Sequence, residues 1–339
     1  MMIRRLLMAG ILLACLLGMQ GYKVAAEEVA SLGGCAGIDD DAARLRCYDK
    51  MAGRLSKALE VTPALQQPVE TKSPESSYLT RTWQLDDESR RKRFAVMPHR
   101  QNYILPYTYN FHQEKETYAA ANPGVEVKDE EVKYQISLKV KIWEDIFKTK
   151  TDLWFGYTQI SLWQLFNTED SSPFRETNYE PEVLLTYPID NDILGLMRSR
   201  FIQVGFNHQS NGRSEPLSRS WNRVVANVGF DRDVFSMVVK TWYRIPESGE
   251  KDDNHDISSY LGYGELWLTT MWKNFHVGLM YRNNLRFSDN RSTAQLELSF
   301  PMTEHINGYI QYFNGYGESL VDYNHYTNRI GVGVMVKDW

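Results

Sequence analysis

From Val132 to Ile142 the chain alternates without a break. Val132, Tyr134, Ile136, Leu138, Val140 and Ile142 share one phase, and Lys133, Gln135, Ser137, Lys139 and Lys141 share the other. Successive side chains of a strand point to opposite faces, so this run predicts a strand with one apolar and one strongly polar face. A soluble sandwich would show the same alternation with the faces reversed. Length separates the two. The run exceeds the about five or six residues of an ordinary strand and reaches the roughly 9–11 that cross a bilayer. The pattern therefore predicts an apolar exterior and a polar interior. Similar segments follow near 151–164, 178–188, 200–210, 220–230, 233–245, 257–272, 274–287, 291–301, 305–315 and 326–337, and one lies near 102–112. With 132–142 the count is twelve, an even number that suits a single-chain barrel. The predicted fold is all-β: a twelve-stranded antiparallel transmembrane β-barrel over 96–339, with a short helical N-terminal extension.

Aromatic residues recur near segment ends, among them Trp143, Trp154, Trp163, Trp221, Trp242, Trp272 and Tyr309. Interfacial girdles would place them there. The chain ends on Trp339, out of phase with the apolar row Ile330, Val332, Val334 and Val336. Beyond the N-terminus no apolar run approaches the length of a membrane-spanning helix, whereas strands that alternate give only weak hydropathy signals. A formal net charge of −5 points to no nucleic-acid partner.

The N-terminus reads as an export signal over 1–26. Arg4 and Arg5 precede an apolar stretch from Leu6 to Met19, and Val24-Ala25-Ala26 resembles a cleavage site, leaving Glu27 as the first mature residue. Leu12-Leu13-Ala14-Cys15 bears a fainter likeness to a lipoprotein box, which Leu13 fits poorly. Export to an oxidising compartment favours a disulfide between the remaining pair, Cys35 and Cys47. Residues 27–60 form a small helical element, with Asp39-Asp40-Asp41 at a helix start. Residues 61–95, with scattered Pro, Gln, Ser and charge, read as a linker.

The candidate chemistry lies between Ile202 and Phe230. Ile202, Val204, Phe206, His208 and Ser210 share one phase of a strand, and a loop containing Asn211-Gly212 and Pro216 follows. A second strand carries Asn222, Val224, Ala226, Val228 and Phe230 on one face. A hairpin centred on Glu215 sets His208 opposite Asn222 and Ser210 opposite Ser220, at Cβ separations of roughly 4.5–5.5 Å. Hydroxyl, imidazole and amide then match the nucleophile, base and orienter of a serine hydrolase. A histidine near a serine in a strand is more often structural. The apolar row that carries the cluster, however, suits a substrate arriving from lipid.

His-Gln-Ser-Asn-Gly-Arg-Ser (208–214) followed by Ser-Arg-Ser-Trp-Asn-Arg (218–223) resembles the signature of the outer-membrane phospholipase A family. The segments 171–181 and 315–320 are similar to that family too, and the resemblance covers roughly 95–339. It implies a Gram-negative outer-membrane enzyme with phospholipase A1, A2 and lysophospholipase activity. Ser210 would be its nucleophile, His208 its base, Asn222 the orienter and Gly212 an oxyanion donor. It further implies dependence on Ca2+ and activation as a homodimer. The ion would take the Arg213 carbonyl, the Ser218 hydroxyl and the partner's Ser171 carbonyl, with Asp253 at a further calcium-associated position and Gln159 on the dimer surface. Each residue has a plainer alternative. Ser171 and Ser218 suit turns, Asp252 and Asp253 a solvated loop, Arg213 a lipid headgroup, and Gln159 the lumen. A passive porin or binding barrel, and a soluble β-sandwich hydrolase, are the rival classes.

Overall fold

The structure, a computed structural model, describes residues 32–52, 77–249 and 252–337. The export signal with Cys15, the linker residues 61–76 and Trp339 lie outside the described residues. The chain divides at Ser73/Pro74. In the first unit, helices α1 (Leu32–Ala36) and α2 (Asp41–Met51) are joined by a Cys35–Cys47 disulfide. Asp40 starts α2 as the acidic run predicts, its Oδ1 accepting the Ala43 amide at 2.7 Å.

The second unit is one closed antiparallel sheet. A short strand, β1 (Val96–Pro98), leads into twelve long ones. These are β2 (Tyr103–Asn110), β3 (Glu130–Ile146), β4 (Thr151–Trp163), β5 (Phe174–Ile193), β6 (Met197–Ser210), β7 (Ser220–Arg232), β8 (Phe235–Arg244), β9 (Gly264–Trp272), β10 (Phe275–Asn283), β11 (Ser292–Pro301), β12 (Ile306–Gly315) and β13 (Thr327–Val336). Each pairs with its neighbour in sequence, and β13 closes on β2. Closure leaves no free edge, which lipid would not tolerate. The sandwich alternative is thereby excluded. Among the described residues no helix is long and apolar enough to cross a membrane.

The β3 alternation sorts as expected. Lys133, Ser137, Lys139 and Lys141 are buried in the lumen, while Ile136 and Ile142 are exposed. The aromatic expectation needs correcting. Trp143 and Trp272 stand outside, but Trp154, Trp221, Trp242 and Tyr309 are buried. They share the phase of the lumen-facing residues, and phase decides the side of the sheet whatever the position along the strand. The expected strand at 257–272 also begins later. Ile257–Leu261 is a helical turn (α4) with Ile257 and Leu261 buried, and the ladder starts at Gly264.

The presumed linker 61–95 contains ordered structure at its end. Helix α3 (Tyr78–Trp83) is capped by Ser77, whose Oγ accepts the Thr80 amide at 3.2 Å. Trp83 lies 5.8 Å from the rings of both Trp154 and Phe201, with the Lys139 ammonium 3.8 Å above its own ring. Two apolar side chains, Leu79 and Trp83, are too few to register as a period, so the sequence reads as linker. The helix plugs the end of the barrel with the short turns (147–150, 194–196, 233–234, 273–274 and 302–305). At the other end the long loops gather, and loop 316–326 turns inward with Leu320, Val321 and Tyr323 buried. Short turns mark the periplasmic side of an outer-membrane barrel and long loops the outside.

Candidate active site

The β6–β7 hairpin has the expected register, His208 opposite Asn222 and Ser210 opposite Ser220. Its outward row is plain. Ile202, Val204 and Phe206 are 43%, 48% and 64% exposed, whereas Phe201, Gln203 and Asn207 on the other phase are buried. His208, Ser210 and Asn222 fall in the outward row, at the long-loop end of the wall. The His208 Nδ1–H donates to Asn222 Oδ1 at 2.8 Å. This leaves Nε2 as the free, proton-accepting nitrogen. Ser210 lies two residues from His208 on the same face, and no hydrogen bond joins the two among the described residues. Catalytic hydrogen bonds often tighten only once substrate binds.

The loop 211–219 is organised by Asn211. Its Oδ1 accepts the amides of Arg213 and Arg219 at 3.3 and 3.0 Å, and its Nδ2 donates to the Leu217 carbonyl at 2.7 Å. Gly212 follows Ser210 by two residues with φ +64°, and a Cβ there would stand 3.3 Å from the Tyr179 ring. Its amide is unpaired among the described residues. Arg213 reaches across to β5 and donates to the Phe174 and Arg175 carbonyls at 3.0 and 2.6 Å.

Of the expected ion ligands, the chain brings two together. Ser218 Oγ donates to Asp253 Oδ2 at 2.6 Å, and Asp253 Oδ1 accepts the Ser220 amide at 3.1 Å. Asp252 is engaged instead by Arg244. Ser171 is exposed on the neighbouring loop with φ +61°, and within one chain nothing among the described residues joins it to Ser218. Gln159 faces outward, bonded along its own strand to Tyr157 and Ser161 at 3.1 and 3.3 Å. It pairs with Tyr179, which in turn pairs with Ser210, so these residues run across β4, β5 and β6 in one row.

Sequence reasoning missed Asn211, Tyr179 and Glu247. Asn211 sits within the Asn-Gly turn signal, which announces a turn and nothing more. Tyr179 touches the site from β5 and Glu247 from the segment after β8, and no local pattern announces them. Glu247, just beyond β8, accepts from Asn222 Nδ2 at 3.0 Å.

Comparison with known proteins identifies the family of the barrel. The phospholipase A1 family model matches residues 79–336. The Escherichia coli K12 phospholipase A1 is 40% identical over 248 residues, covering 72% of this chain and 82% of that protein. A Neisseria meningitidis serogroup B relative is 35% identical and covers 90% of both chains, so that similarity reaches past the barrel into the N-terminal region. Outer membrane phospholipase A from E. coli superposes with a TM-score of 0.67 at 38% identity, over 74% of this chain and 94% of that one. The Salmonella typhi outer membrane phospholipase, described as a dimer with bound calcium, gives 0.67 at 37% identity, over 75% and 95%. By the match across its barrel and by these relatives, the chain belongs to the phospholipase A1 family of outer-membrane β-barrels.

Proposed function

We propose that this phospholipase cleaves acyl esters of phospholipids with Ser210 as nucleophile, His208 as general base and then acid, and Asn222 as its orienter. The observation that carries this is the His208–Asn222 hydrogen bond of 2.8 Å beside Ser210, on the lipid-facing wall. A phospholipid would reach the site laterally, its chains along the apolar row Ile202, Val204, Phe206 and Val224. Ser210 Oγ attacks the ester carbonyl as His208 Nε2 takes its proton. The tetrahedral oxyanion would lie toward the unpaired Gly212 amide. His208 then returns the proton to the departing glycerol oxygen, and water hydrolyses the acyl-serine by the same route. The row admits either ester position, so we extend the reading to A1, A2 and lysophospholipase activity.

We also infer dependence on calcium. Calcium takes about six to eight oxygen ligands. The Ser218 hydroxyl and Asp253 carboxylate already touch, and the loop beside them carries carbonyls, including that of Arg213, that accept no hydrogen bond among the described residues, so this donor set fits the ion. When bound, it would supply positive charge near the developing oxyanion. Ser171, exposed on the adjacent loop, would serve a second copy rather than its own chain. With outward-facing Gln159 in the same row as Ser210, and with the Salmonella relative described as a calcium-bound dimer, this supports a homodimer as the active form. A polar side chain facing lipid is costly unless covered.

A passive barrel needs an open lumen. Here α3 enters from one end, loop 316–326 from the other, and charged pairs cross between them. The decisive experiment measures fatty-acid release from phosphatidylcholine micelles by refolded protein, with calcium and then with excess chelator, beside Ser210→Ala. The reading expects release that the chelator stops and the mutation abolishes. Wild-type release by folded Ser210→Ala would sink the triad. Full activity from a protein that stays monomeric with calcium and a substrate analogue would sink the dimer.

A further inference from the structure

We propose that Glu247 is a positioning residue for the reaction, and the reason that position 222 carries Asn where serine hydrolases commonly carry Asp. The inference rests on the triad reading above.

The geometry is a relay of two hydrogen bonds. Ile245 N–H donates to the Asn222 carbonyl at 2.8 Å, continuing the β7–β8 pairing past the end of β8. Two residues on, Glu247 reaches the same asparagine from the side, and its Oε1 accepts from Asn222 Nδ2 at 3.0 Å. The other end of that amide, Oδ1, accepts from His208 Nδ1 at 2.8 Å. An amide can turn end over end, and its orientation is fixed by what its two ends meet. A carboxylate only accepts. Glu247 therefore holds the NH2 end toward itself and the oxygen toward the imidazole. Turned the other way, the amide would offer N–H to Nδ1, the ring proton would move to Nε2, and His208 could not accept from Ser210.

The same contact explains the residue type. Asp at 222 would set a second carboxylate against Glu247 at hydrogen-bond distance, where two like charges cannot both be held. With a carboxylate in the outer position, the middle position needs one donor and one acceptor, and Asn supplies both. The negative charge is thus moved one residue outward rather than lost, and it still favours the imidazolium that forms during the reaction. Among the described residues Glu247 makes no ion pair, so it is not committed elsewhere. Among the described residues, the ionisable groups on this face beside it are Tyr179 on β5, Tyr243 on β8, and Asp253, which Ser218 and the Ser220 amide engage.

The test uses full-length protein refolded in detergent with calcium, with folding verified by heat-modifiable gel mobility. It reads kcat and KM against pH for wild type, Glu247→Gln, Glu247→Asp, Asn222→Asp and the double variant Asn222→Asp/Glu247→Gln. Glu247→Gln, which removes the charge and lets an amide turn either end to Asn222, is expected to lower kcat by on the order of tenfold to a hundredfold, the scale of a hydrogen bond to a charged group. KM should hold, and the acid limb of the kcat profile should move to lower pH. Glu247→Asp should recover part of the loss. Asn222→Asp should be impaired alone and improved by adding Glu247→Gln, so that one substitution has opposite signs in the two backgrounds. A merely structural glutamate would lower activity in both. Glu247→Gln within twofold of wild type at every pH, or equally harmful in both backgrounds, overturns the proposal while Ser210→Ala remains dead. An active Ser210→Ala overturns the triad and this inference with it.

Discussion

Glu131 should be the most costly carboxylate to neutralise at the outer end of the barrel. It is fully buried at the start of β3. It accepts from Arg175 Nε at 2.7 Å and Nη2 at 3.2 Å, from Arg329 Nη2 at 2.7 Å, and from Gln164 Nε2 at 2.8 Å. Arg175 also donates to Asp322 at 2.9 Å, Arg329 to Glu318 at 2.8 Å, and Lys133 to Glu318 at 2.8 Å. The cluster balances three cations against three carboxylates. Glu131→Gln keeps the volume but leaves an excess buried positive charge and turns an NH2 toward a guanidinium. Breaking a buried ion pair by removing one partner costs about 3–5 kcal/mol. A matched control is Arg198→Ala, whose partner Asp190 is exposed. That pair should contribute only about 0–1 kcal/mol. The assay is urea unfolding in detergent micelles, followed by tryptophan fluorescence. A loss for Glu131→Gln no larger than for Arg198→Ala would refute the claim that this network holds the outer end together. The network also reaches the site, because the Arg175 carbonyl accepts from Arg213, the neighbour of Gly212. Activity per folded molecule should therefore fall in Glu131→Gln and stay level in Arg198→Ala.

Gly212→Ala forces a left-handed backbone on an L-residue, costing about 1–2 kcal/mol, and pushes a methyl toward Tyr179. It should reduce kcat more than tenfold, a loss on the scale of one oxyanion donor. Gly195→Ala, at φ +68° with open space around it at the opposite end, should cost similar stability with no loss of activity. Trp83→Ala removes the centre of the plug, so it should cost about 3–5 kcal/mol and raise ion conductance in planar bilayers; an unchanged, silent bilayer would show that α3 does not seal the lumen. Glu318 gives a pH signature. Burial alone would raise its carboxyl, but Arg329 and Lys133 beside it more than reverse this and hold it at about 2. Its folded value is depressed, so its stabilisation is complete above the ordinary glutamate range, near 4.5, and is lost as pH falls toward 2. The unfolding difference between wild type and Glu318→Gln should be flat from pH 6 to 8 and shrink in acid, as read by urea titration at each pH.

The barrel was legible because lipid imposes its pattern on single strands. β3 alone carries lysines on one phase and aliphatics on the other, and no partner is needed to see which face is which. The twelve strands followed from repetition of that pattern. The misreadings share one cause, which is that they depend on the lumen. Trp154, Trp221 and Trp242 resemble girdle residues by position and are core residues by phase. The α3 plug has only a few apolar side chains, and their partners Trp154, Phe201 and Lys139 are distant in the chain. Arg175, Glu131 and Arg329 were three unremarked charges until closure brought β3, β5 and β13 together.

The site divides along the same line. His208, Ser210 and Asn222 belong to one hairpin, and a two-residue alternation with a central loop is enough to set their register. Residues that act on the hairpin from other strands escape such reasoning. Glu247 lies 25 positions from Asn222 in a Pro-Glu-Ser-Gly stretch that reads only as loop. Seen without it, Asn222 is a weakened aspartate whose lost charge must be made up elsewhere, with calcium the obvious source. With Glu247 in place, the asparagine is the middle of a relay that keeps a carboxylate in the chain of hydrogen bonds. An ion beside the 211–219 loop would then bear on the oxyanion rather than on the imidazole, and the two charges would act on opposite sides of the reacting ester. Their contributions should be separable. Lowering calcium and replacing Glu247 should reduce activity by independent factors, since groups that act at different points of the reaction and share no ligand add in free energy. Factors that fail to multiply would place the ion and Glu247 in one shared network instead.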